Sequence, residues 1–186
     1  MYFHDMSEKY KFNDADGIYF ITPTIVQWID LFNKNEYCEI ILDSLIFCQN
    51  NKRLIIHSWC IMSSHLHLII SSQQQNLSAI LRDFKTHTSK AIVKQLQGGN
   101  DSRKDWILNL FAEEALQIKR NIDFKTWKDG NHPIQLDTNK MFDDRLNYIH
   151  HNPVKANIVY RAEDYVYSSA IDYAGGKGLL DIIMIE

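Results

Sequence analysis

Residues 59–70, WCIMSSHLHLII, set two histidines on either side of Leu66 inside a run apolar enough for a buried strand. Side chains alternate along a strand, so His65 and His67 share one face while Leu66 and Leu68 share the other. Same-face neighbours stand roughly 6 to 7 Å apart at Cα. At that spacing two imidazoles can converge on one ion, each through one ring nitrogen. Imidazole suits Zn, Mn, Fe or Ni; a third amide or carboxylate oxygen with open water positions brings in Mg or Mn. The plain alternative is two half-exposed sheet residues on a solvated or helix-covered face. With 8 histidines in the chain, the spacing alone does not choose.

The second stretch is RLNYIHHNPVKANIV, residues 145–159. On a helix, the neighbours of Tyr148 at −4, −3, +3 and +4 are Asp144, Arg145, His151 and Asn152. An apolar stripe is already supplied by Met141, Phe142, Leu146 and Ile149, so Tyr148 lies among polar side chains. That placement reads as surface or site.

Both stretches need elements to hold them. The β-branched and aromatic segment 16–26 reads as a first strand, and 35–51 as an amphipathic helix capped at Asn35. Segments 52–62 and 65–71 read as two strands joined by a tight turn at Ser63–Ser64. A long helix follows over 76–99, stopped by Gly98–Gly99, and a further helix opens at Asp101 or Ser102. Asp129–Gly130 is a hairpin signal between two short extended segments that would close the sheet. The tyrosine helix reads as about 138–152, capped at Thr138 or Asn139 and stopped by Pro153. After a GGKG turn, the tail is a short apolar strand or docking segment. The order β-α-β-β-α-β with additional C-terminal helices predicts an α+β, ferredoxin-like (RRM-like) sandwich with an antiparallel sheet, residues 1–186 forming one domain.

Composition narrows the function classes. The chain has 186 residues, 45% hydrophobic and 23% charged, which suits a sizeable core. No apolar run approaches the roughly 18 residues of a membrane span, and MYFHDMSEKYKF has neither the basic nor the apolar part of a signal peptide. Cys38, Cys48 and Cys60 are scattered outside any CxxC spacing, so a cytoplasmic protein without membrane contact is the expectation. The net charge of −3 argues against coating duplex DNA, and any nucleic-acid contact must rest on a local patch. LRDFKTHTSKAIVK offers one, with Arg82 and Lys85 three apart and Lys90 and Lys94 four apart. An ordinary solvated helix face fits those residues nearly as well. Arg103, Lys104, Lys119 and Arg120 are further cations, and Trp106 and Trp127 are aromatics for base stacking or for packing.

Taken together, WCIMSSHLHLII and LNYIHHNPVKANIV resemble the single-tyrosine HUH transposases, in particular the REP-associated tyrosine transposases and their insertion-sequence relatives. GIYFIT, WIDLF, LSAILRDFKTHTSK and YSSAIDYAGGKG extend the resemblance over nearly the whole chain. It implies a nuclease fold acting on single-stranded or hairpin DNA. His65 and His67 would hold a divalent ion, Mg2+ or Mn2+, and Asn152 matches the position of an amide that completes the metal site. Tyr148 matches the nucleophile, which would leave a 5′-phosphotyrosine and a free 3′-OH. A free phenol ionises near 10, so metal proximity or a nearby base must help at neutral pH, and His151 is the candidate base. Members occur as monomers and as dimers, which leaves a homodimer open. The competing readings are a nucleic-acid-binding module on the same fold without strand transfer, and a metal-dependent hydrolase using water.

Overall fold

The computed structural model describes residues 12, 14–73, 76–118 and 122–185. Among the described residues, four strands form one antiparallel sheet in the order β2-β3-β1-β4: β1 (Tyr19–Ile21), β2 (Leu54–Ile61), β3 (Leu66–Ser72) and β4 (Ile134–Gln135). Helix α1 (Asn35–Lys52) connects β1 to β2, and helix α2 (Leu77–Gly98) leads from β3 towards β4, as the ferredoxin-like order requires. Helix α3 (Lys104–Leu116) is inserted before β4; helix α4 (Asn139–Lys155) and the short α5 (Ala170–Tyr173) follow it.

The sheet has two unlike faces. Tyr19, Ile21, Leu66, Leu68 and Ile70 point into the larger core, against Ile41 and Leu45 of α1 and Ile80, Leu81 and Phe84 of α2. Phe20, Cys60 and Ile69 point the other way, against Phe142 and Ile149 of α4. On β2 the alternation changes phase. Ile56 pairs Ile70 and Ser58 pairs Ile69, so His57 is an extra residue that bulges the strand. Before the bulge Leu54 and Ile56 face the larger core; after it Trp59 and Ile61 do.

Several boundaries differ from the sequence expectation. Regular pairing of the first strand ends at Ile21; Thr24 and Ile25 make only isolated bridges, to His65 and Trp127. Asn35 is the first helical residue of α1 rather than its cap. The α3 cap position is Arg103, although Asp101 Oδ1 accepts from its backbone N–H at 2.9 Å. The segments flanking Asp129–Gly130 do not pair with each other: Trp127 bridges Ile25 and β4 pairs β1, so both run along the same neighbour. Thr138 caps α4 as expected, its hydroxyl accepting from Met141 N at 3.2 Å. Pro153 does not stop α4. It is a buried residue inside the helix, which continues until Ala156 N bonds Asn152 O at 2.9 Å and Asn157 turns to φ 57°. A proline interrupts a helix through its missing N–H and a clash with the preceding turn; here, less than one turn from the end, Pro153 is buried and the helix runs through it.

The C-terminal tail docks without forming a regular strand. Leu180 is buried, Ile183 N donates to Ile56 O at 2.9 Å, and Ser169 N donates to Trp59 O at 3.0 Å. Together they cover the outer edge of β2, which would otherwise present unpaired backbone groups.

Candidate active site

Because Leu66 and Leu68 face the larger core, the histidines between and beside them emerge on the α4 face. His67 is 2% exposed, and its ring stacks on Phe20 with centroids 5.7 Å apart. The two Nε2 atoms of His65 and His67 lie 3.1 Å apart. Behind them, Thr22 Oγ1 stands 3.2 Å from His67 Nδ1 and Ser64 Oγ 3.2 Å from His65 Nδ1. With these hydroxyls accepting the Nδ1 protons, both Nε2 lone pairs are directed at one point. Burial pushes the His67 imidazolium down to about 3, with His65 and Arg145 adding to the effect. Burial also lowers His65. Both rings are therefore neutral at pH 7, the form a metal requires.

Helix α4 brings the other half. Asn152 Nδ2 lies 2.8 Å from His67 Nε2. A half-turn of the amide exchanges Oδ1 for Nδ2 at that position, which would present an oxygen to the same point. The Tyr148 ring sits 5.1 Å from the His67 ring and 6.2 Å from Phe20, and it is 39% exposed. Cations flank it along the helix. The Arg145 guanidinium lies 5.0 Å from the Phe20 ring, and Lys155 Nζ is 6.0 Å from the Tyr148 centroid.

These donors fit a hard divalent ion. Two nitrogens 3.1 Å apart match the edge between neighbouring ligands at bonds of about 2.1 Å. Among the described residues no group of three His, Cys, Asp or Glu side chains forms a metal cluster. A third protein donor would be the Asn152 amide, and the remaining positions would fall to water or substrate oxygens, as Mg2+ or Mn2+ favours.

The structure gathers His65, His67, Tyr148 and Asn152 at one place, all within one chain. His151 is exposed instead, its Nδ1 2.9 Å from Asn147 O on its own helix. Sequence reasoning missed Lys155, although it lies seven residues, or two helical turns, beyond Tyr148. It missed Thr22 and Phe20 too, because strand pairing rather than spacing brings them in.

The α2 cations lie with the opposite sheet face and have divided roles. Lys90 and Lys94 are exposed. Arg82 is exposed and leans on Asp83, which also bonds Lys52. Lys85 is a clamp: Nζ donates to Lys128 O at 3.0 Å and Gly130 O at 2.8 Å, and burial pushes its ammonium down to about 8. Trp127 is a core residue, its Nε1 donating to Thr88 Oγ1 at 3.0 Å, whereas Trp106 is exposed. Arg103 pairs with Asp30. Lys119 and Arg120 lie outside the described residues.

Residues 29–115 match the model of a family described as IS200-like transposase. That stretch is similar to IS200-like transposase sequence. It holds both histidines and ends before Tyr148. The fold extends the likeness: a REP-associated tyrosine transposase solved bound to a REP hairpin superposes with a TM-score of 0.64, at 18% identity, over 97% of this chain and 96% of that one. The transposase resemblance read in the histidine and tyrosine motifs, and the ferredoxin-like fold it implied, are both borne out. No curated protein matches the chain. Among the described residues no helix is long and apolar enough to cross a membrane.

Proposed function

We propose that this chain is a metal-dependent DNA transposase and single-strand endonuclease that cleaves and rejoins single-stranded or hairpin DNA through a 5′-phosphotyrosine. The observation that carries the reading is the convergence of Tyr148 and Asn152 on His67, 85 residues from Asn152 in sequence. The IS200-like match and the hairpin-bound structural neighbour support the same class of substrate.

His65 Nε2, His67 Nε2 and the Asn152 amide would hold Mg2+ or Mn2+, which neutralises charge on a bound phosphodiester. Thr22 and Ser64 fix the two imidazoles in the neutral tautomer that leaves both Nε2 atoms free. Tyr148 Oη attacks phosphorus in line with the bond to the 3′ oxygen. The new P–O bond joins the 5′ phosphate to Tyr148, whose phenol gives up its proton; the broken P–O bond leaves a 3′ oxygen that takes up a proton to become the free 3′-OH. Arg145 and Lys155, one turn before and two turns after Tyr148, place positive charge where the phosphate's negative charge accumulates. Attack of another 3′-OH on the phosphotyrosine reverses the step and joins strands without an external energy source. His151, held through Nδ1 on Asn147 O, would transfer a proton through its Nε2.

Labelled hairpin DNA with a single-stranded tail, incubated with the protein and Mn2+, should yield a covalent adduct on a denaturing gel. A retarded native complex with no adduct under Mg2+ or Mn2+ would favour the binding module instead.

A further inference from the structure

Between β1 and α1 the chain makes a turn that L-residues adopt reluctantly. Gln27 and Trp28 both have positive φ, 52° and 57°, in a turn closed by Ile29 N donating to Val26 O at 3.3 Å. Two successive residues in that region are ordinarily Asn and Gly. Here the surroundings enforce the conformation. Gln27 Nε2 bonds Glu114 of α3, Val26 N bonds Thr126 O at 2.9 Å, and Ile25 bridges Trp127. Strain of this kind persists only where the structure over-determines it, and it clusters at functional sites.

The turn leaves an indole on the surface. Trp28 is 57% exposed, although four core residues, Ile25, Val26, Ile29 and Leu31, surround it in sequence. Its ring meets the His65 ring edge-on with centroids 5.6 Å apart. Lys128 Nζ lies 4.3 Å from the indole centroid. The backbone of Lys128 is itself fixed, by Lys128 N donating to Thr24 O at 2.8 Å and by the Lys85 clamp on its carbonyl. A rigid aromatic plane and a cation thus stand beside one of the two imidazoles, on the side of His65 opposite His67 and Tyr148 in the chain of ring contacts.

We propose that Trp28 and Lys128 form a subsite for one unpaired nucleotide next to the scissile phosphate, Trp28 stacking on its base and Lys128 neutralising its phosphate. The proposal rests on the DNA-cleaving reading and adds to it how the strand is seated. Every base has a π-face, so the subsite selects single-stranded over paired DNA rather than one sequence. Base stacking is worth about 1 to 3 kcal/mol, or roughly 5- to 150-fold in affinity.

The test uses full-length protein carrying Tyr148→Phe, which binds without cleaving, and a hairpin whose single-stranded tail carries 2-aminopurine at successive positions. Stacking predicts fluorescence quenching at one tail position near the hairpin base. Trp28→Ala should remove the quenching and weaken binding at least fivefold, Trp28→Phe should restore most of both, and Lys128→Ala should weaken binding while keeping the quenching. A blunt hairpin without a tail should bind wild type and Trp28→Ala equally. Quenching unchanged in Trp28→Ala overturns the subsite. The cleavage reading is judged separately, by the covalent adduct with Tyr148 intact, so an adduct with unchanged quenching leaves that reading standing and removes this one.

Discussion

Asn152 Nδ2 and His67 Nε2 stand 2.8 Å apart, the amide on a helix and the imidazole on the central sheet. The contact fixes where α4 lies on the sheet: one turn earlier, Tyr148 falls beside the same imidazole. Helix geometry thereby converts a single hydrogen bond into the alignment of Tyr148 with the two imidazoles, the arrangement on which the proposed nucleophile and metal site rest. In the proposed reading, the residues of the site come from one chain.

Removing the amide should weaken cation binding. Asn152→Ala is expected to lower Mn2+ affinity by about 10- to 100-fold, and Asn152→Asp, which adds a carboxylate, to raise it. Isothermal titration with Mn2+ at pH 7.5 reads both. Equal affinity in wild type and Asn152→Ala would exclude Asn152 from the metal site.

The proposed site, drawn from one chain, has a consequence in mixtures. Tyr148→Phe and His65→Ala proteins should each form no adduct, and mixing them should restore none. Recovery on mixing would mean that Tyr148 serves a partner's histidines. Tyr148 is 39% exposed, so Tyr148→Phe should keep the fold, with stability within about 0.5 kcal/mol of wild type.

Lys85 and its neighbours on α2 should separate by role. Lys85→Met leaves two carbonyls without their donor, at a cost of about 1 to 3 kcal/mol in urea unfolding. Lys90→Ala and Lys94→Ala should change stability by less than about 0.5 kcal/mol. Each residue that meets a phosphate should reduce the slope of log K against log salt by about 1 when removed. A stable Lys85→Met protein would refute the clamp.

Acid should destabilise the fold through two histidines outside the His65–His67 pair. Burial lowers His150 to about 4, helped by His151, and burial lowers His57 against the opposing effect of Ile183 O. The folded state resists protonation while the unfolded chain accepts protons below about 6.5. Stability is therefore full above the unfolded pKa and declines as pH falls from 6.5 towards 4. For His150 alone the loss at pH 5 is about 2 kcal/mol. Melting curves of His150→Asn should show a shallower decline than wild type between pH 7 and 5; identical slopes would contradict the assignment.

Much of this was legible in sequence because it depends on period. Alternation put His65 and His67 on one face, and the i, i+4 relation put Tyr148 and Asn152 on another. The end of α4 was misread because the rule that proline stops a helix does not hold for a buried Pro153 near the helix terminus. The roles of Lys85, Trp28 and Thr22 were hidden for a different reason. Each depends on a partner more than 35 residues away, such as Gly130 for Lys85 and His67 for Thr22. The His57 bulge was equally silent, since an extra residue in a strand leaves no compositional mark.

The central claim is that Tyr148 is the atom donor to phosphorus. The direct measurement is mass spectrometry of tryptic peptides from protein trapped on hairpin DNA with Mn2+ and then digested with nuclease. The account predicts a nucleotide mass on the peptide containing Tyr148, fragmenting to that residue, and its absence in His65→Ala. Cleaved DNA with an unmodified Tyr148 peptide, or a nucleotide on another residue, would contradict it.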